Sequence, residues 1–300
     1  MFTTATIWRC FSPFKILFTS LTILSTNKLL FTTLFIFTIL PLSTLTIYQS
    51  IVTQPLTSQI LHLEALSHFA STQFEARHVK HESRKDAVFL IRVKALFAFP
   101  SYIISLISTL SAVHSSLLAS HGITPTLHSA VASFKPNITR LFVTSIFVYA
   151  ILFVFSSLHL FLNALLALIG SNSFVFLIGS GLEVYLMAVL SVGLVVSVAE
   201  ERFGWDAIRV GSGLMEGNRV CGWVLSGLFV WVSGLIGSRI DGEDSFEDKA
   251  VVIVCYGLVV LWSYVIMTVF YCECRKRHPI KEFHQIEEED QDQENQLSVL

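Results

Sequence analysis

The sequence predicts an all-α fold, a polytopic membrane helix bundle of about six transmembrane helices with interfacial amphipathic helices beside them. Of 300 residues, 53% are hydrophobic and only 14% charged, with a mean hydropathy of +0.66; soluble domains carry about a quarter charged residues. The charges cluster between uncharged runs long enough to cross a hydrocarbon core of ~30 Å, which takes about 20 apolar residues in a helix. In lipid the backbone polar groups must be satisfied within their own segment, so helices are the form these runs take. The five cysteines, Cys10, Cys221, Cys255, Cys272 and Cys274, show neither disulfide-scaffold density nor paired zinc spacing. No basic domain with interleaved aromatics supports nucleic-acid binding. No cofactor and no metal are expected.

Residues 1–27 hold Arg9, Lys15, many Ser and Thr, and no carboxylate, the first being Glu64. That composition imitates an organellar transit peptide. Lys28 leads straight into a spanning run, however, which favours a cytosolic or interfacial helix with Phe11, Phe14, Leu17, Phe18 and Leu21 on one broad face. The transmembrane domain covers residues 28–271. Its first span is about 29–51 and contains Pro41, which neighbouring helices can accommodate in a membrane. Residues 53–94 are mixed; Leu56, Ile60, Leu63, Leu66 and Phe69 recur at helical spacing, so part of the segment is an amphipathic helix. The second span, about 95–118, ends near His121 and Gly122. Between Leu141 and Ala199 the one formally charged residue is Glu183, and Gly170-Ser171-Asn172-Ser173 breaks the run into spans at about 141–169 and 173–199. The fifth span is about 220–238, and the acidic stretch IDGEDSFEDK precedes the sixth at about 250–271. Residues 272–300 run from CECRKRH into an acidic, glutamine-rich tail expected to be disordered and cytosolic.

Six spans put both ends on one side. With cytosolic termini, twelve basic residues fall on the cytosolic side and eight opposite, which favours this orientation under the positive-inside rule. Arg77, Lys80, Arg84, Lys85, Arg92 and Lys94 argue the other way, but they lie in a long segment, which counts less. Asn137-Ile138-Thr139 is a glycosylation sequon that this topology places in the cytosol, so a glycan on Asn137 would invert it.

An ionisable residue inside a span is a functional hypothesis by default. Glu183 lies about ten residues into the fourth span, roughly 15 Å deep at 1.5 Å per residue. His159 and Asn163 share a helical face on the third span and are its candidate partners in an intramembrane polar site. The competing reading is a protonated, hydrogen-bonded Glu183 sealed in the bundle. His114 and His121, seven apart, share a face without a second pair to complete a metal site, so they read as interfacial polar residues. No catalytic residue stands out: G-x-S-x-G, H-E-x-x-H and P-loop patterns are absent, and Gly211-x-Gly213-x-x-x-Gly217 has the wrong spacing and context for a phosphate loop. Gly222 with Ser226, Ser233 with Gly237, and Gly193 with Ser197 form small-xxx-small pairs that let helix backbones approach. Cys272 and Cys274, beside Arg275, Lys276 and Arg277, suit palmitoylation or stand as plain reduced thiols.

SVAEERFGWDAIRVGSGLMEGNR joins the fourth and fifth spans. Glu200 and Glu201 mark the aqueous boundary, and Trp205, Ile208, Leu214 and Met215 alternate with Asp206, Arg209 and Glu216 as in a short helix lying in the interface. Gly211 and Gly213 should weaken that helix by roughly 1 kcal/mol each relative to Ala, which points to close packing or a hinge. Gly217 reads as its C-terminal stop before Arg219 opens the next span.

The pattern Glu200, Gly204, Ala207, Ser212, Leu214, Gly217 and Arg219 resembles the signature of a plant family of uncharacterised multi-pass transmembrane proteins. Lys28 to Ser43, with Leu40-Pro41-Leu42-Ser43, and Arg140-Leu141-x-Val143-Thr144 fit the same family. The chain is similar, more distantly, to the membrane domain attached to some bacterial glycerophosphodiester phosphodiesterases. The resemblance implies a six-helix bundle in a plant endomembrane or plasma membrane, and no chemistry. The function expected from the sequence is a non-enzymatic membrane-organising or interaction protein whose partners are lipids, proteins met through the tail, and a second copy of the chain. The alternative is a transporter or lipid-handling protein using a Glu183 pocket.

Overall fold

The computed structural model describes residues 12–69, 73–123, 134–167, 173–240 and 246–277. Among them every regular element is helical, and six helices are long and apolar enough to cross a membrane. The protein is an integral membrane α-helical bundle. Its helices are α1 (Ser12–Thr26), α2 (Lys28–Leu34), α3 (Leu40–Phe69), α4 (Gln73–Ser120), α5 (Phe134–Ala167), α6 (Ser173–Ala199), α7 (Gly204–Leu214), α8 (Arg219–Ile240) and α9 (Phe246–Arg277). The expected turn at Gly170-Ser171-Asn172, the acidic stretch from Asp241 to Ser245, Cys10 and the tail beyond Arg277 lie outside the described residues.

A π turn, Phe35–Ile39, joins α2 to α3, and the Leu40 N–H donates to the Phe35 carbonyl five residues back. It stands directly before Pro41, which has no N–H and whose ring would collide with the carbonyl four residues earlier. Widening the helix by one residue at that point removes the conflict without breaking the span. Serine and threonine hydroxyls inside the spans are satisfied locally; Thr33, Thr38, Ser108, Ser116 and Thr268, among others, donate to the carbonyl four residues back at 2.6–2.8 Å.

The first two spans are longer than expected. Residues 53–69 belong to α3 and residues 73–94 to α4, and the two helices pack along each other as a pair. The 48 residues of α4 are about 72 Å long, more than twice the hydrocarbon thickness, so the pair projects past the membrane. The sixth span is longer too. α9 continues to Arg277, six residues into what the sequence assigned to the tail, because Tyr271 and Cys274 are buried against the bundle.

The core lies around α6, which touches α4, α5, α7, α8 and α9. Leu110, Leu141, Leu190, Val196, Leu225, Ile266 and Phe270 are fully buried there. Phe153, Val154, Leu160 and Phe161 on α5 point outward, as residues facing lipid should. α1 packs on α9, where Ser20 donates to the Leu17 carbonyl at 2.7 Å and accepts from the Trp262 indole at 2.9 Å. Phe14, Phe18 and Leu21 form its exposed face. Lys15 and Lys276 line one small cavity, which sets the start of α1 and the end of α9 at the same end of the bundle.

Candidate functional site

At that end α6 stops at Ala199 and the chain doubles into α7 through Glu200 to Phe203. Gly204 makes the bend at φ +63°, a conformation an L side chain strains to adopt. Its N–H donates to Thr144 Oγ1 at 2.9 Å, and the Phe147 ring closes over it. Thr144→Val should leave that buried donor without an acceptor and cost about 1–2 kcal/mol, read as a lower Tm in detergent. α7 then packs on α6 with Ala207, Ile208, Gly211 and Leu214 buried. Of the two roles the glycines suggested, close packing is the one seen at Gly211: the apolar face of α7 meets protein, and Trp205 points outward, 61% exposed. The reason is a glycine pair. A Cβ on Gly211 would fall 2.9 Å from the Gly193 nitrogen, so the backbones touch. Gly213, Ser233 and Gly237 take no such part, since Gly213 and Gly237 face open space and Ser233 lies beside the latter on the outer half of α8. Ser212 is half-buried, Gly217 makes the turn after α7 at φ +84°, and exposed Arg219 approaches Glu216 at 3.9 Å.

The ends of α4, α5, α6 and α9 enclose a polar cleft of about 620 Å³. Its centre is Glu200, with only 11% of its side chain exposed. Glu200 accepts from the Tyr271 hydroxyl at 2.7 Å and pairs with Arg275 at 3.3 Å and Arg202 at 3.9 Å. Arg140 reaches Glu201, whose side chain is 91% exposed, at 3.5 Å. His114, Ser120, His121, Asn137 and Lys276 add to the polar lining. His114 Nδ1 is buried with no hydrogen-bond partner among the described residues. Among these residues no group of His, Cys, Asp and Glu has the arrangement of a metal site.

A second cavity, of about 820 Å³, lies at membrane depth between α3, α4, α5, α6 and α9. Its polar lining consists of hydroxyls without a formal charge: Thr46, Ser101, Tyr102, Ser105, Thr109, Ser145, Tyr149, Ser191, Tyr256 and Tyr264. Ser145 gives its proton to the Phe142 carbonyl at 2.7 Å, so Tyr102 is the donor in the 2.6 Å bond between their hydroxyls. Ser101 Oγ is buried without a partner among the described residues. A smaller cavity of about 160 Å³ adjoins this one through Thr109, Met187, Ser191, Leu194 and Tyr264. On α4 it meets the polar cleft at consecutive residues, Val113 and His114, and on α9 the two are one helical turn apart, from Met267 to Tyr271.

Glu183 lines none of these cavities. It is half-buried one turn beyond Gly179, over which the His159 ring is seated, and it has no hydrogen-bond or ion-pair partner among the described residues. Asn163 turns its amide to the His159 carbonyl on its own helix, at 2.9 Å. His159, like Glu183, lines none of these voids. Cys274 is fully buried, with Asn218 Nδ2 at 4.0 Å from its sulfur, and so presents no thiol to a lipid. Cys272 is half-buried in the wall of the cleft, 3.4 Å from Ser120 Oγ.

The hydroxyl cavity was missed because serine, threonine and tyrosine in a span carry no charge to attract notice. Its signal is Ser101, Ser105 and Thr109 at intervals of four, a hydroxyl stripe down one face of α4. No curated protein and no solved structure matches the chain. A family model described as a domain of unknown function (DUF8558) matches residues 8–287, and the chain belongs to that family.

Proposed function

We propose that this protein is a non-enzymatic, lipid-handling membrane protein that takes up an uncharged amphiphile in the hydroxyl-lined cavity. The supporting observation is that cavity's size and chemistry. Its volume of about 820 Å³ lies within the ~300–1,000 Å³ of small-molecule sites, and ten hydroxyls without a formal charge line it among leucine and valine. In a dry site, hydroxyls hold a neutral polar group by hydrogen bonds without the desolvation cost of burying an ion. This is the lipid-handling alternative of the sequence reading, moved from Glu183 to α4, α5 and α9.

The test is the amphiphile retained by protein purified in mild detergent, quantified by mass spectrometry of its organic extract. Ser191→Phe should fill the junction of the two inner cavities and lower the retained amount about tenfold, and Tyr264→Phe, which removes one hydroxyl at nearly constant volume, should lower it about threefold. Equal retention in both variants, with Tm unchanged, would refute the reading.

A second reading, organisation of protein partners, is favoured by the pair of α3 and α4, whose exposed Phe69 and Phe74 stand beyond the bundle. Cytosolic termini and a plant endomembrane or plasma-membrane site belong to the same proposal and rest on the basic-residue distribution and the family resemblance.

A further inference from the structure

The cleft and the hydroxyl cavity differ in chemistry, and the cleft carries an inference that does not depend on the cavity. Four candidate spans reach their limits around it, at Ser120, Asn137, Ala199 and Arg277, which places the cleft where hydrocarbon gives way to headgroups. Its floor is apolar, formed by Leu117, Leu118 and Val198. Three basic side chains converge on it from two helices: Arg140 on α5, and Arg275 and Lys276 on α9.

The two carboxylates of the cleft are fewer than those three cations and leave Lys276 uncompensated among the described residues. Glu200 is nearly buried and already committed to Tyr271, Arg275 and Arg202. Glu201 is 91% exposed and approaches Arg140 only at 3.5 Å. A guanidinium has five N–H donors, so one carboxylate contact leaves Arg140 with donors to spare. Lys276 is exposed and has no carboxylate partner among the described residues. His114 and His121 add imidazole nitrogens to the same wall. We infer that this cleft is a binding site for a phosphate-type anion, held by Arg140 and Lys276 over the Glu200–Arg275 pair. A phospholipid headgroup and a soluble phosphate ester share that chemistry, and lateral position at the headgroup level makes both accessible.

Full-length protein in mild detergent is titrated with three probes: dioleoyl phosphatidic acid, dioleoylglycerol with the same tails and no phosphate, and glycerol 3-phosphate. Phosphatidic acid should bind at least tenfold more tightly than dioleoylglycerol. Arg140→Gln and Lys276→Gln should each weaken it about tenfold, the loss of one charge-assisted hydrogen bond. Arg140→Lys keeps the charge and should keep most of the affinity. Arg219→Gln, an exposed cation outside the cleft, should leave it unchanged. Competition by glycerol 3-phosphate assigns the site to soluble phosphate esters, and binding of phosphatidic acid alone assigns it to lipid. Equal binding of phosphatidic acid and dioleoylglycerol overturns the inference. So does unchanged binding in Arg140→Gln and Lys276→Gln, or an equal loss in Arg219→Gln.

Discussion

Gly211→Leu is expected to lower the Tm of the detergent-solubilised protein by on the order of 10 °C, whereas Gly213→Ala, two residues away, should raise it slightly. At Gly211 even a Cβ would fall 2.9 Å from the Gly193 nitrogen, 3.0 Å from the Gly193 Cα and 3.3 Å from the Val192 carbonyl carbon. All three are backbone atoms of α6, so no rotamer change relieves the clash and α7 must lift away as a unit. Overpacking that forces backbone shifts costs about 1–3 kcal/mol, and a rigid neighbour places this site at the upper end. Lifting α7 would also strip cover from Ile208, whose Cα lies 3.1 Å from where a Cβ on Gly193 would be. Gly213 has open space around it and ordinary helical backbone, so alanine adds helix propensity of about 0.5–1 kcal/mol at no steric cost. Thermal unfolding of both variants decides the matter; similar Tm values for the two would refute the backbone contact.

Glu200→Gln should destabilise the bundle by about 2 kcal/mol and uncouple Tyr271 from the cleft. The carboxylate holds a 2.7 Å hydrogen bond from Tyr271 and a 3.3 Å contact with Arg275, and its side chain is 11% exposed against 24% for Arg275. Removing one partner of a buried pair leaves the other charge poorly compensated, which costs 3–5 kcal/mol when burial is complete; the partial exposure of Arg275 reduces that to about 2. Tyr271→Phe removes the hydrogen bond alone and should cost about 1 kcal/mol. In a double-mutant cycle the two changes should be non-additive by about 1 kcal/mol, because Tyr271 has lost its charged acceptor once Glu200 is gone. Strict additivity would mean that Tyr271 and Glu200 do not act on each other.

The legible parts of this protein are those that lipid imposes. Ser173–Ala199 is a helix with the bounds its hydropathy suggested; the short helix, by contrast, already ends at Leu214, and Gly217 makes the turn between it and Arg219. The paired glutamates marked the end of a span, as their charge required. What they would do there was not legible. Tyr271 and Arg275, one turn apart on α9, meet Glu200 across 71 and 75 residues of chain. No local pattern encodes that meeting. Glu183 shows the reverse: it is the one charge in a long apolar run, and the structure sets it apart from every cavity described.

The sequence by itself determined the all-helical fold and the number of candidate spans. A hydrocarbon core admits few backbone forms, and hydropathy reports them directly. Tertiary structure alone decided which side chains share a cavity. Helix packing in lipid is set by close contacts such as Gly193 with Gly211, whose effect depends on which face meets which. Those contacts make the short helix α7 a wall of the bundle. They also gathered scattered hydroxyls from α3, α4, α5, α6 and α9 into one void, because a hydroxyl that looks unremarkable on its own helix becomes a site when its neighbours leave space in front of it.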